Sequence, residues 1–267
     1  MESARLQTEL LLSHLLKMPR MKLYLNFDRV LTPAETDNLR ELVKRRGQRE
    51  PLQHIVGSTS FCGHEILVNR QVLIPRPETE LLAEAGWKWL AETKTAEPSV
   101  LDLCTGSGCI AIAIAAKCPG AKVAAADISP EALALARENA AQNKMAGRIE
   151  FLPGDAFAGI AEGRTFDLIV SNPPYIASAE IATLEPEVRD FDPRLALDGG
   201  ADGLDFYRRL AREAKPFLKT EGKLMLEFGD GQAPELKKVF EGENWIVEAV
   251  QEDYSQRARI LIARKPN

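Results

Sequence analysis

From Pro98 onward the chain repeats one unit, a short run of apolar and β-branched residues followed by a longer helical stretch, and few topologies accommodate that alternation. The runs are Val100–Leu103, Val123–Ala126, Glu150–Leu152, Leu168–Val170 and Lys223–Phe228, each bounded by turn residues. Strands that alternate with helices build a parallel sheet covered on both faces. The last two runs, Trp245–Val250 and Arg259–Ala263, are joined by a polar link too short for a crossover helix, so they pair antiparallel. The expected fold is therefore α/β, a doubly wound and mostly parallel sheet with an antiparallel C-terminal hairpin. One stretch is ambiguous, because Ile110, Ile112 and Ile114 alternate with alanines at the strand period of two. Alanine's helix propensity and the glycine loop just upstream decide for a helix.

The first sixty residues follow a different pattern. Leu6, Leu10, Leu11, Leu12, Leu15 and Leu16 recur at helical spacing and form a candidate buried stripe. Thr32-Pro33-Ala34-Glu35 is a capping box with proline at the first helical position. Leu39, Leu42 and Val43 supply the apolar face of that helix, and Gly47, after Lys44-Arg45-Arg46, is its expected stop. Between Thr59 and Ile74, Gly63 and Asn69-Arg70 punctuate two β-prone runs, Glu65–Val68 and Gln71–Ile74, which read as a hairpin. Pro75-Arg76-Pro77 ends it, and Glu78 opens a helix through about Thr93. The expected organisation is a small helical N-terminal domain over residues 1–58, a β-hairpin connector over 59–76 and an α/β domain over 77–267.

Composition removes several classes of function. The longest apolar stretch, Cys109 to Ala116, is far shorter than the ~18–20 residues that cross a bilayer. The N-terminus lacks the basic and apolar regions of a secretory signal. Cys62, Cys104, Cys109 and Cys118 include no C-x-x-C pair, and only His14, His54 and His64 accompany them, so no metal site is expected. Reduced thiols and a cytoplasmic location are the expectation. The net charge of −5 argues against a surface that grips nucleic acid throughout. Residues 1–58 carry ten Lys/Arg against seven Asp/Glu, leaving −8 on the remainder. That basic excess is either a solvated helix face or a surface for an acidic or RNA-bound partner.

Two motifs carry chemistry. Asp102-Leu-Cys-Thr-Gly-Ser-Gly-Cys109 lies between an expected strand and a helix. Alone, such a loop suits a tight structural turn as well as a ligand cradle. Asp127, at the end of the next strand and 21 residues past Gly106, has the spacing of a carboxylate that takes two ribose hydroxyls. It could instead cap the next helix, but Ser129 can do that. Together the features point to an adenosine-containing cofactor. Ser171-Asn172-Pro173-Pro174-Tyr175 follows the Leu168–Val170 strand, at the sheet edge where ligands of open α/β folds bind. The Asn172 side chain and the Pro173 carbonyl are two acceptors for one planar NH2 group, with Tyr175 to cover its face. A rigid loop is the plainer reading of the prolines.

These motifs resemble those of class I S-adenosylmethionine methyltransferases that act on planar nitrogens. Leu73-Ile-Pro-Arg-Pro-Glu-Thr-Glu80, Pro51-Leu-Gln-His-Ile-Val-Gly57 and Phe61-Cys-Gly63 narrow the resemblance to the peptide chain release factor glutamine methyltransferases, the PrmC/HemK family. Leu184-Glu-Pro-Glu-Val188, Asp192-Pro193, Ala196-Leu-Asp-Gly-Gly200, Asp202-Gly-Leu204, Glu227-Phe-Gly229 and Gln232 resemble it too. The resemblance runs from about Glu50 to the end and implies a Rossmann-like methyltransferase domain behind a helical substrate-recognition domain. It implies that Cys104, Thr105, Gly106, Ser107 and Gly108 wrap the methionine portion of S-adenosyl-L-methionine, Asp127 holds the ribose, and Asp155 and Ala156 border the adenine. Asn172, Pro173 and Tyr175 are then catalytic; with Pro174 they bind the substrate glutamine, and Asn172 also borders the cofactor. The implied partner is a class I release factor, methylated at its Gly-Gly-Gln glutamine, with S-adenosyl-L-homocysteine as product and no metal, membrane or direct nucleic-acid substrate. The chain departs from the family at His54 (usually Tyr), Cys104 and Gln256 (often Gly) and Ala156 (an aromatic in some relatives). Three other readings compete: an adenine-N6 methyltransferase of nucleic acid, a dehydrogenase on the same scaffold, and an inactive cofactor-binding scaffold. The dehydrogenase leaves Asn-Pro-Pro-Tyr unused, and the inactive scaffold is at odds with the intact Gly106, Gly108, Asp127 and Asn172.

Overall fold

The computed structural model describes residues 4–266. Its first part is helical, with α1 (Ala4–Leu15), α2 (Arg20–Leu25), α3 (Pro33–Gly47) and α4 (Leu52–Val56). Thr32 caps α3 in the expected way: its hydroxyl accepts from the Glu35 N–H at 3.2 Å, and the Glu35 carboxylate accepts from the Thr32 N–H at 2.9 Å. Gly47 does not stop α3. It is the last helical residue, and the left-handed conformation falls on Arg49, at φ 69°. Of the leucine stripe, Leu11 alone is fully buried, beside Gln7, while the other five are half-buried. Helices this short enclose too little volume to cover both sides of such a stripe.

The hairpin is displaced from its expected position. It pairs β1 (Ser58–Phe61) with β2 (His64–Leu67), so Gln71–Ile74 is not a strand. Cys62 and Gly63, at φ 50° and 81°, form a two-residue turn of the hand that matches strand twist. That turn pairs β2 with the residues before it. Val72 and Ile74 are instead buried as irregular chain, Val72 within the sheet's core.

Next come α5 (Pro77–Glu92), β3 (Ser99–Leu103), α6 (Cys109–Lys117), β4 (Lys122–Asp127), α7 (Pro130–Gln142), β5 (Ile149–Pro153) and β6 (Phe166–Ser171). After short α8 (Pro186–Arg189) and α9 (Arg194–Leu197) follow α10 (Asp205–Glu213), β7 (Leu218–Glu227), α11 (Ala233–Gly242), β8 (Ile246–Glu252) and β9 (Ala258–Arg264). Among the described residues one seven-stranded sheet runs in the order β5-β4-β3-β6-β7-β9-β8, parallel through β7 and antiparallel at β9 and β8. Successive side chains alternate between its faces: Val100 packs with Leu168 and Val170 on one side, Leu101 and Leu103 with Ile169 on the other. Ile110, Ile112 and Ile114 belong to α6 and are buried with the alanines between them. A helix buried on every side carries no amphipathic signature, which is why its sequence looks strand-like.

Two polar features lock this frame. Buried Asn139 on α7 donates to the carbonyls of Leu67 (3.0 Å) and Ser107 (2.9 Å) and accepts from the Leu67 N–H (2.7 Å), tying the hairpin to the glycine loop. Arg46 on α3 donates to Gln7 Oε1 (2.6 Å) and Glu187 Oε1 (2.9 Å), and Arg49 bonds Glu187 and Glu185, joining the helical part to the segment around α8.

Gly108 begins α6 at φ 81°, where an added Cβ would lie 3.0 Å from the Ala136 Cβ of α7. Gly108→Ala combines left-handed strain with a helix–helix clash, and we expect a loss of about 1–3 kcal/mol in unfolding free energy. Urea denaturation at neutral pH tests this; an unchanged midpoint would show that α6 and α7 part without cost.

Candidate active site

The chain order of the sheet reverses at β3, which has β4 on one side and β6 on the other. Beyond the carboxyl ends of these strands opens a cleft of about 710 Å³, within the usual range for a small-molecule site. Cys104, Gly106, Asp127, Asp155, Ala156 and Asn172 line it. Asp127 is held by the loop it faces: Oδ2 accepts from the Gly106 N–H at 2.8 Å and Oδ1 from the Ser129 N–H at 2.9 Å. Burial pushes its carboxyl upward, and the hydrogen bonds from Ser129, Gly106 and Ile128 oppose that shift. Ser129 takes the helix cap, accepting from the Ala132 N–H at 3.1 Å. A Cβ built on Gly106 meets no protein atom within 4 Å, so the loop is bare at the place where a ligand would lie against it.

Thr105, Ser107 and Gly108 do not line the cleft and shape the loop from behind. The Thr105 hydroxyl donates to Asp102 Oδ2 at 2.6 Å, the same oxygen that accepts from the Ala111 N–H at 3.0 Å. Burial pushes Asp102 up to about 7 despite these bonds. The Ser107 carbonyl is taken by Asn139. Asp155 Oδ1 pairs with Arg209 at 2.5 Å. Cys104, Ala156 and Gln256 all have positive φ, at 61°, 50° and 62°. Glycine takes that conformation without strain, which gives a physical reason for the family's frequent glycine at 104 and 256. The Cys104 thiol is pushed up by burial and stays neutral.

Asn172 follows β6. Ser171 Oγ donates to the Leu103 carbonyl at 2.6 Å and pins the end of β6 to β3. Asn172 Nδ2 donates to Thr79 Oγ1 at 3.1 Å, while its buried Oδ1 has no partner. Pro174 lines the cleft; Pro173 and Tyr175 lie behind it. The Tyr175 carbonyl accepts from Gln232 Nε2 at 2.9 Å, and Gln232 Oε1 accepts from the Gly229 N–H at 2.8 Å. A Cβ at Gly203 would sit 2.3 Å from that same carbonyl oxygen, so a glycine is required for this approach. Burial raises the Tyr175 phenol to about 12, which keeps it neutral. The arrangement leaves, on a residue of the cleft lining held by Thr79, a buried uncharged acceptor without a partner.

Sequence reasoning missed other parts of the wall. Ile128, directly after Asp127, is apolar yet 49% exposed and lines the cleft, as do Val72, Leu73, Leu195 and Phe206. An apolar residue just past a strand-terminal acid was the available signal for Ile128. The others come from segments distant in the chain.

Residues 1–57 match the PrmC N-terminal domain family, and residues 81–186 match the methyltransferase small domain family. A Geobacter sulfurreducens protein named release factor glutamine methyltransferase is 46% identical over 239 residues, covering 90% of this chain and 82% of its own. A Chlorobaculum tepidum protein of the same name is 42% identical over 266 residues, covering 97% and 90%. Among solved structures, a ribosomal protein L11 methylase from Lactobacillus delbrueckii subsp. bulgaricus has a TM-score of 0.53 at 23% identity, over 73% of this chain and 82% of that one. A Thermus thermophilus 16S rRNA N2 methyltransferase solved with AdoMet and guanosine has a TM-score of 0.54 at 19% identity, over 78% and 50%. At these identities the solved structures share the fold: the mostly parallel sheet of class I methyltransferases.

Two buried carboxyls make a pH dependence. Asp102 and Glu227 are each raised to about 7 by burial, from ordinary values of 3.8 and 4.5. Their neutral forms are the ones the fold favours, so their contribution is fully present below the unfolded values and is lost as pH rises through the folded ones. We expect unfolding free energy to fall between about pH 4 and about pH 7, and Asp102→Asn to flatten part of that slope. Urea titrations across the range check it, and a stability that climbs through this window would contradict the assignment.

Proposed function

Because this chain belongs to the release factor glutamine methyltransferases, we propose that it methylates N5 of the Gly-Gly-Gln glutamine in class I release factors. The observation that carries this reading is Asn172, a residue of the cleft lining whose buried Oδ1 has no partner of its own. A glutamine side-chain NH2 has two protons to give. Asn172 Oδ1 accepts one and the Pro173 carbonyl the other, while Pro174 confines the amide plane at the cleft and Tyr175 backs the loop. Held this way, the nitrogen cannot rotate away from its line of attack. Orientation of this kind is worth ~7–11 kcal/mol at its upper limit.

The cofactor is S-adenosyl-L-methionine, whose sulfonium supplies an electrophilic methyl and which leaves as S-adenosyl-L-homocysteine. The chain's residues fit it: the bare backbone at Gly106 and the fixed carboxylate of Asp127 suit a nucleoside with two adjacent hydroxyls. In this reading Cys104, Thr105, Gly106, Ser107 and Gly108 bound the methionine portion, Asp127 takes the ribose, and Asp155 and Ala156 border the adenine, with Asn172 beside the methyl. Once the amide nitrogen has become cationic its proton is acidic enough to leave to water, so the reaction needs neither a tuned base nor a metal.

Residues 1–58 are the substrate-recognition domain of this proposal, 59–76 the connector and 77–267 the catalytic domain. The ties from Arg46 and Arg49 to Glu187 and Glu185 support it, since they join α3 to the chain that follows Tyr175. Recognition across a second surface suits a target of one residue, which by itself supplies little affinity. A release factor substrate puts the reaction in the cytoplasm. Nucleic acid as direct substrate is disfavoured by the −8 carried beyond residue 58, because base methylation needs phosphate contacts.

Transfer of label from S-adenosyl-L-methionine to a purified release factor tests the substrate, beside its glutamine-to-alanine variant and duplex DNA. Label on the unaltered factor alone is expected; label on DNA and none on protein would overturn the assignment. Asn172→Ala should lower kcat by about 100-fold or more while S-adenosyl-L-homocysteine still binds. Asp127→Ala should weaken binding of that product by about 10- to 100-fold in calorimetry, the loss of charged hydrogen bonds to a ligand; an unchanged affinity would remove Asp127 from the ribose site.

A further inference from the structure

An asparagine amide presents a carbonyl or an NH2 to the cleft depending only on what its other end is bonded to. The function proposed above requires the carbonyl, and this inference rests on that reading. In the structure the choice is made by two buried neighbours of Asn172, Thr79, which reaches the cleft wall, and Glu227, which does not. Thr79, in the first turn of α5, and Glu227, the last residue of β7, are buried at 3% and 2% exposure; Thr79 lines the cleft with Asn172, and Glu227 lies outside the lining. Asn172 Nδ2 donates to Thr79 Oγ1 at 3.1 Å, and hydrogen bonding toward Thr79 and Asn172 opposes the upward push that burial gives the Glu227 carboxyl. We propose that Thr79 and Glu227 are positioning residues for methyl transfer, which hold Asn172 with its NH2 turned inward and its carbonyl turned toward the substrate amide.

The donor count supports this. A threonine hydroxyl that accepts from Asn172 still has its own proton to give, and an ionised carboxylate only accepts. Nδ2 donates to the Thr79 oxygen on the side of the Glu227 carboxyl, and turning the amide over would set Oδ1 toward that carboxylate. Oδ1 is left without a partner and Glu227 Oε2 is unpartnered as well. A carboxylate kept so deep without a cationic partner bonded to it is costly, and apolar packing would serve a purely structural role better. The charge of Arg259 on β9 lowers the Glu227 carboxyl, but its Nε is paired with Asp253, at 3.1 Å, and not with Glu227. The other groups facing Glu227 are Glu78 on α5, which raises its carboxyl, and Tyr175 and Tyr207, both kept neutral by burial. The Tyr207 hydroxyl donates to the Glu227 backbone carbonyl at 2.7 Å and fixes the end of β7.

The test uses the full chain with Thr79→Val, Thr79→Ser and Glu227→Gln, beside Asn172→Ala, in release factor methylation. Valine keeps the shape of threonine and loses the hydroxyl; serine loses the methyl group and keeps the hydroxyl. Positioning predicts that Thr79→Val and Glu227→Gln lower kcat by about 10- to 100-fold with KM for the release factor little changed, and that Thr79→Ser stays within about threefold of the parent. Affinity for S-adenosyl-L-homocysteine, measured by calorimetry, should be the same in all three within about twofold. Glu227 is raised to about 7 by burial, and its ionised form is the one that fixes Asn172. The parent's kcat should therefore climb with pH through a limb near neutrality that Glu227→Gln lacks. If Glu227→Gln does not fold, the contrast between Val and Ser at position 79 decides. Thr79→Val at parental kcat, with Asn172→Ala inactive, overturns this inference and leaves the proposed function standing. A parallel loss of product binding in Thr79→Val overturns it too, since a collapsed site would then explain the loss. An active Asn172→Ala overturns both.

Discussion

The cleft depends on the register of three parallel strands. Leu103 of β3 pairs with Ala126 of β4 on one side and with Ser171 of β6 on the other. The next residue in each strand or loop, Cys104, Asp127 and Asn172, therefore emerges at one level on one edge of the sheet. Side chains along a strand alternate between faces, so a slip of one residue would turn both cores inside out. Burial of the sheet on both faces thus fixes the register, and the register fixes which groups meet in the cleft. The hydrogen bond from Ser171 to the Leu103 carbonyl adds a polar check at the place where slippage would matter most.

Behind the cleft the structure spends its buried polar groups on backbone placement. Asp102 holds the glycine loop through Thr105 and the first turn of α6 through Ala111. Asn139 joins that loop to the hairpin, and Gln232 joins the Tyr175 carbonyl to the Gly229 turn. In a low-dielectric interior such bonds are strong and their absence is expensive. They allow a neutral amide to act as the business end of the site, since its direction is set by neighbours that cannot rearrange cheaply. Water would otherwise compete for Asn172 as readily as a substrate amide.

The helical part obeys a different economy. Apart from Leu11, its leucine stripe is only half-buried, and Met21, Leu25, Phe27 and Val30 are largely exposed. What joins it to the segment around α8 is ionic: Arg46, only 12% exposed, and Arg49 meet Glu187. Exposed ion pairs contribute little, but these lie where two layers close on each other and have directional, forked geometry. The attachment is specific without a large shared apolar core.

Much of this was legible in the chain itself. The alternation after Pro98 determined the parallel sheet and its antiparallel end, because strand and helix impose different periods on apolar residues. The capping box at Thr32, the glycine loop, Asp127 at a strand end and Asn-Pro-Pro-Tyr are local patterns, and local patterns can be read in one dimension. The hairpin register went astray because a turn of two positive-φ residues at Cys62-Gly63 announces itself weakly when one of them is not glycine. Gly47 misled because a helix can run through glycine when the residues beyond it, here to Arg49, take the turn. Thr105, Ser107 and Gly108 share a motif with Gly106, but only coordinates separate the residue that faces the cleft from those that brace it. Thr79, Asn172 and Glu227 are the clearest case: they are far apart in the chain and on three different elements. Their sequence contexts give each a residue type. Only the tertiary structure brings them together, because an amide's direction is decided by neighbours in space, and no periodicity along the chain encodes those.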